Sequence, residues 1–213
     1  MPHDDDVTVE PVNGLPEALP PGEGILWQGR PEILPLARES LALNWVIVYF
    51  ALLILWRVGV STTVMPFGPA LLTALPFLAL AAVTVGILLA IAWVQSRATV
   101  YTITTDRVAM RIGAALTLTL NLPFPKIASA DLDLRRNGTG TIALRTVGTA
   151  RLSYLVLWPH VRPGHMRQTQ PALRCIPNAA KVAAILAEAA ETRVSRPEIA
   201  RAGMAADAAV AAE

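Results

Sequence analysis

The sequence predicts a membrane α+β protein: a two-helix transmembrane hairpin followed by a seven-strand β-barrel capped by a C-terminal helix. Three observations carry this. Residues 41–95 hold most of the chain's extreme hydrophobicity and contain one charge, Arg57. From Ala98 onward apolar residues alternate with polar ones, the period of half-buried strands. Near Asn178 the period lengthens to that of an amphipathic helix. Composition agrees: 54% of the 213 residues are hydrophobic and 16% are charged, where a soluble domain carries about 25% charged residues.

The first 40 residues read as an acidic arm. They open Met-Pro-His-Asp-Asp-Asp, with neither the basic nor the apolar region of a signal peptide, so the first hydrophobic segment is expected to stay in the mature protein. Residues 1–24 are rich in Pro, Gly and acid and lack periodicity, so the arm is expected to be mostly extended. Within it, Ile25-Leu26-Trp27 is a short apolar run that could add an edge strand to a domain, ended by Gly29-Arg30-Pro31.

The first span runs from Leu41 to about Val60, and twenty helical residues cover roughly the 30 Å hydrocarbon core. The second runs from about Ala70 to Val94, with Pro76 near its outer end as a candidate kink. Ser61 to Pro69, with Pro66 and Gly68, forms the turn between them. Arg30 and Arg38 precede the first span, and Arg97, Arg107 and Arg111 follow the second. The positive-inside rule therefore puts both termini in the cytoplasm. Arg57, near the outer end, is expected to snorkel to the interface.

The β-domain is expected over 97–192. Its runs are Tyr101 and Ile103; Val108, Met110 and Ile112; Leu116 to Leu122; Ala130, Leu132 and Leu134; Ile142 and Leu144; Leu152, Tyr154, Val156 and Trp158; and Leu173 to Ile176. Asn137-Gly138 signals a type I′ hairpin, whose central residues both need positive φ. Val182, Ile185, Leu186 and Ala189 then share a helix face, and 193–213 is an Ala-rich tail expected to be frayed or disordered. Seven antiparallel strands closed by one C-terminal helix is the element order of a pleckstrin-homology-like barrel.

Net charge is +2 but unevenly placed. Residues 1–40 carry −6, Arg57 +1, residues 97–175 +8 and the remainder −1. The basic domain is suited to anionic lipid, to an acidic protein surface, or to the acidic arm in cis.

Several strings resemble a known family. Trp27-Gln28-Gly29-Arg30-Pro31, the hydrophobic hairpin and Tyr101 to Val108 resemble bacterial membrane proteins with a pleckstrin-homology-like domain. Leu120-Asn121-Leu122-Pro123-Phe124, Ile127 to Leu132, Tyr154 to Pro163 and Pro171 to Pro177 resemble the PuhB-type photosynthetic complex assembly proteins of purple bacteria. The resemblance covers roughly 8–192. It implies a role in assembling the photosynthetic reaction centre and its light-harvesting antenna in the bacterial inner, intracytoplasmic membrane. The expected partners are reaction-centre and light-harvesting subunits, the membrane, and a second copy of the chain as a homodimer; nucleic acid is not among them.

Enzymatic chemistry finds little support, and no cofactor or metal is expected. His160 and His165 lack the i, i+4 spacing of a helical zinc pair, and His3 lies in the arm. Cys175, the single cysteine, forms no internal disulfide and is expected to be a small buried strand residue. No phosphate loop or nucleophile elbow occurs. Asp131 and Asp133 share a strand face and are expected to be solvated and balanced by Arg135 and Arg136. The first hairpin, Ile-Thr-Thr-Asp-Arg-Val, lacks the basic cluster that pairs with inositol phosphates.

Two sets of residues stand as candidate contacts. Trp158, His160, Arg162 and Arg167 lie in a loop, 158–171, expected to protrude toward a partner, since aromatic and Arg residues anchor interfaces. Ala82, Gly86 and Ala90 give a small-xxx-small face on the second helix, either for packing on the first helix or for a dimer or client contact. The expected function is a non-enzymatic assembly factor; the rival class is a general membrane-tethered lipid-binding or envelope-stress module.

Overall fold

In the computed structural model the described residues are 14–15, 18–113, 117–148 and 152–195. The first residues of the arm with His3, Leu116, and the tail from 196 lie outside them. The chain divides into two compact units. One is the segment Arg30–Ala98; the other combines the residues up to Gly29 with those from Thr99 onward.

The helical unit holds α1 (Ile33–Ser40), α2 (Leu43–Ser61), α3 (Phe67–Leu72) and α4 (Leu75–Ala98). Helices α2 and α4 are apolar around their whole circumference, and the 19-residue α2 and the 32 residues from Phe67 to Ala98 are long and apolar enough to cross a membrane. The second expected span is split into α3 and α4. Pro76 has no N–H to extend a helix backward, but near the start of α4 it costs no bond. At the break Thr73 Oγ1 donates to the Ala70 carbonyl at 2.7 Å and lies 3.1 Å from Ser61 Oγ.

Helix α1 was not expected. Residues 30–40, assigned to the acidic arm with no helix expected, instead pack Leu36 and Ala37 inward. Ala37, Leu43 and Ala92 form a small core with Val85, Leu88 and Leu89 of α4 around it. Ser96 Oγ donates to the Pro31 carbonyl at 2.6 Å, which fixes the entry to α1.

Among the described residues the β-unit has seven strands, but they form two open sheets rather than the expected closed barrel. One sheet is β1 (Ile25–Gly29), β2 (Val100–Thr104), β3 (Arg107–Ile112) and β4 (Leu118–Pro123), in that order; the other is β5 (Ile127–Leu134), β6 (Gly140–Thr146) and β7 (Ala172–Ile176). All pairings are antiparallel. The β4-to-β5 corner passes through Pro123 and Pro125 in a single 3-10 turn, and proline has no N–H to carry a ladder across.

The membership of the seven differs too. The sixth expected run is not a strand: Tyr154–Leu157 is the one-turn helix α5. Short apolar runs do not distinguish strand from helix by period alone, and here Tyr154 and Leu157, three apart, turn inward. The seventh strand is supplied from before the hairpin, where Gln28 pairs with Thr102 and Gly29 with Tyr101. The domain boundaries therefore move: 25–29 belongs to the β-unit and 33–40 to the helical unit.

Helix α6 (Ala179–Val194) lies over β5 and β6 and closes the core. It sends Val182, Leu186 and Ala189 into a cluster with Tyr101, Ile103, Met110, Ile142, Leu144 and Leu173. Asn178, at φ +50, turns the chain into it; asparagine tolerates that conformation better than most residues.

The Asn137-Gly138 hairpin forms, but not as type I′. Only Gly138 of the pair has positive φ, and its N–H donates to the Arg135 carbonyl at 3.0 Å: a type I turn followed by a glycine bulge. Asn137 Oδ1 instead accepts from the Thr139 N–H and hydroxyl at 3.2 and 2.7 Å. Just beyond, a Cβ on Gly140 would stand 2.6 Å from Ala179 Cβ and 2.7 Å from the Asp133 carbonyl oxygen. Gly140→Ala is expected to cost about 1–3 kcal/mol through forced backbone shifts, read as a lower urea midpoint with unchanged slope.

Candidate functional site

The segment from Leu152 to Pro171 holds the first set of candidate residues. Leu157 of α5 is buried and Leu152 and Tyr154 pack against the core, while Leu155 and Val156 stand outward at 84% and 61% exposure. Trp158 follows at 41% exposure, joined to Pro159 by a cis peptide. The chain then dives inward. Val161 bridges to Pro171, and the Arg162 N–H donates to the Gln170 carbonyl at 2.9 Å, so residues 162–170 leave from a narrow neck.

His160 overturns its expected placement. It is 1% exposed and is not presented to a partner. Its Nδ1 lies 2.6 Å from Tyr101 Oη and its Nε2 3.1 Å from Thr99 Oγ1, and the Tyr101 and His160 rings meet edge to face. The Arg174 N–H also donates to Tyr101 Oη, at 3.3 Å.

Burial, with the nearby Arg174 guanidinium adding to it, lowers the His160 pKa from 6.5 to about 3. Burial likewise pushes the Tyr101 phenol well above its usual range. Both rings are neutral across physiological pH. Arg174, 5% exposed, donates from Nη1 to the Pro159 and Val161 carbonyls at 3.4 Å each, fixing the backbone on both sides of His160. The arrangement holds the loop in place.

The other loop residues diverge. Arg162 Nη1 donates to Asp131 Oδ2 at 2.7 Å and to Gln170 Oε1 at 3.2 Å. Arg145 also approaches Asp131, at 3.7 Å, while Asp133 pairs with Arg135 at 3.5 Å. Asp131 is thus balanced by Arg162 of the loop and Arg145 of β6, not by Arg135 and Arg136 as expected. A cavity of about 230 Å³ beside them is lined by Asp131, Asp133, Arg135, Arg162 and Arg174. Arg167 is exposed. Cys175 is buried in β7, at φ +52 where the β6–β7 register shifts.

The first hairpin of the β-unit is committed internally. Arg107 makes a two-point ion pair with Glu23, at 2.9 Å from Nε and 3.1 Å from Nη2. Thr104 Oγ1 donates to the same carboxylate at 2.6 Å and accepts from the Asp106 and Arg107 N–H groups. Asp106 faces Arg193 of α6 at 2.7 Å.

On α4, Ala82, Gly86 and Ala90 are all exposed, and a Cβ at Gly86 would meet nothing within 4 Å. The helix packs through Val85, Leu88, Leu89 and Ala92 instead. The small-residue stripe is therefore not the contact with the chain's own first helix.

Thr99, Tyr101 and Arg174 were not singled out in the sequence. The available signal was a lone arginine inside the apolar run Leu173-Arg174-Cys175-Ile176, since a buried charge requires fixed partners.

Among known proteins, the profile of the family described as "Bacterial PH domain" matches residues 42–190. The chain is 46% identical over 212 residues to the "Uncharacterized 23.7 kDa protein in puhA 5'region" of Rhodobacter capsulatus, covering 99% of each chain. No solved structure matches.

Proposed function

The chain belongs to the bacterial PH domain family, and from that membership we propose a membrane-anchored, non-enzymatic assembly factor for the photosynthetic reaction centre and its light-harvesting antenna. The observation that carries this reading is the end-to-end 46% identity to a protein encoded in the 5′ region of the photosynthesis gene puhA. The PuhB-type strings from Tyr154 to Pro177 point the same way. In this reading α2 and α4 cross the inner, intracytoplasmic membrane and both termini are cytoplasmic, as the arginines flanking the hairpin favour.

The exposed Ala82, Gly86 and Ala90 face is the approach surface for a client helix or a second copy, because small residues let helix backbones come close. On the domain, exposed Arg167 is the position assigned to a client's cytoplasmic face. Trp158 groups instead with its apolar neighbours. The neutral, fully hydrogen-bonded His160 and the internally paired charges of the first hairpin fit a scaffold better than a catalyst or an inositide reader.

Deletion of the gene is expected to lower reaction-centre accumulation in photosynthetically grown cells, and the tagged protein is expected to retain reaction-centre or antenna polypeptides. Gly86→Leu is expected to weaken that retention severalfold without loss of the protein from membranes, since the added side chain meets open space in the chain itself. Unchanged reaction-centre levels after deletion would sink the reading.

A further inference from the structure

Leu155, Val156 and Trp158 put three large apolar side chains on the outside of the β-unit, and Leu155 is the most exposed large apolar residue among those described. We propose that this turn is a lipid contact, seated at the headgroup–acyl boundary of the membrane that holds α2 and α4. The inference rests on the reading that the hairpin spans a bilayer.

The turn cannot relax inward. Leu157 already occupies the core, Pro159 is buried, and His160 is held from both ring nitrogens. The apolar residues are displayed on a fixed base, and each is stabilised by leaving water. A water-facing surface has no use for them.

Connectivity says which apolar phase is at hand. Thr99, whose Oγ1 lies 3.1 Å from His160 Nε2, is the first residue after Ala98, where α4 ends. Trp158 is two residues from His160, at most about 7 Å of chain. In the last turn of α4 the Arg97 guanidinium stacks 5.7 Å from the Trp93 ring centroid, a pairing suited to the membrane–water boundary. Thr99 therefore emerges at headgroup level, and the turn is tied to it through His160. Tryptophan favours this layer.

The test uses the full chain in vesicles of phosphatidylethanolamine and phosphatidylglycerol, with no other protein. Single replacements Leu155→Cys, Val156→Cys, Asn137→Cys and Leu52→Cys carry an environment-sensitive fluorophore. Quenchers are lipids spin-labelled near the headgroup or deep in the acyl chain. The wild-type chain, whose Cys175 is buried, gives the labelling background. Asn137 is the aqueous reference, because its hairpin lies at the end of β7 opposite the one His160 bonds: Gly138 meets Ala179, while His160 meets Ala172.

The expected result is blue-shifted emission and loss of most intensity at 155 and 156 with the shallow quencher, none at 137, and quenching at 52 by the deep one. If 155 and 156 behave like 137 while 52 is quenched, the lipid contact is wrong and the spanning hairpin stands. If 52 is also unquenched, the spanning reading fails and the lipid contact fails with it.

Discussion

Acidification from pH 6.5 toward pH 3 is expected to remove up to about 1.4 kcal/mol of stability per pH unit through His160 alone, a few kcal/mol in all. In the unfolded chain the imidazole takes its proton near 6.5, while in the folded domain it does so only near 3. Between those values the unfolded state binds more protons. The contribution is therefore fully present above 6.5, falls as pH falls, and levels off below about 3. Carboxylates add their own acid dependence, so the informative quantity is the difference between wild type and His160→Gln in detergent, followed by urea midpoints at several pH values. The variant is expected to start about 2–3 kcal/mol lower at pH 7, because Tyr101 and Thr99 lose a matched partner, and to show a shallower slope. Parallel slopes would mean that His160 is not the neutral, buried group described.

The second large effect is expected at Glu23. Its side chain is 4% exposed and receives Arg107 and Thr104 at once, across more than 80 positions of sequence. Breaking a buried pair by removing one partner costs about 3–5 kcal/mol when the remaining charge is trapped. Arg107, at 26% exposure, can turn toward water, so Glu23→Ala is expected at about 2 kcal/mol, below that range. Arg107→Ala strands the more deeply buried carboxylate and is expected at about 3 kcal/mol or more. Urea midpoints rank the two, and the reverse order would show that the pair is not the dominant tie of this segment. Limited proteolysis between Glu23 and Arg30 should accelerate in both variants, because that tie sits beside an edge strand.

Much of the architecture was legible because it is written in local periods. The long apolar helices, the alternation from Tyr101 to Ile112 and the i, i+3, i+4, i+7 face of α6 each require only neighbouring residues to be read. The errors occur where the decision is made by distant chain. Leu152 to Trp158 alternates like a strand but has no strand to pair with, and its short helix is set by where Leu157 finds the core. His160 looked like a loop histidine because Thr99 and Tyr101 lie about sixty residues away. The acidic arm suggested a cis contact with the basic domain, but a net charge difference could not name Glu23 and Arg107. The small-residue stripe was visible as a pattern; which side of α4 it occupies depended on Ala92 and Leu88 packing on the other.

The pairing of β1 with β2 carries a consequence for how the protein is made. These strands flank the whole helical segment, so the β-domain is a discontinuous unit interrupted by a hairpin. Membrane spans placed between two strands that hydrogen-bond to one another would have to cross an even number of times, so that both strands stay on one side. During synthesis β1 leaves the ribosome first and waits, unpaired, while some seventy residues of the helical segment are made before its partner emerges. An excised domain beginning at residue 97 would lack its own edge strand and Glu23, and would offer β2 as an open template for aggregation.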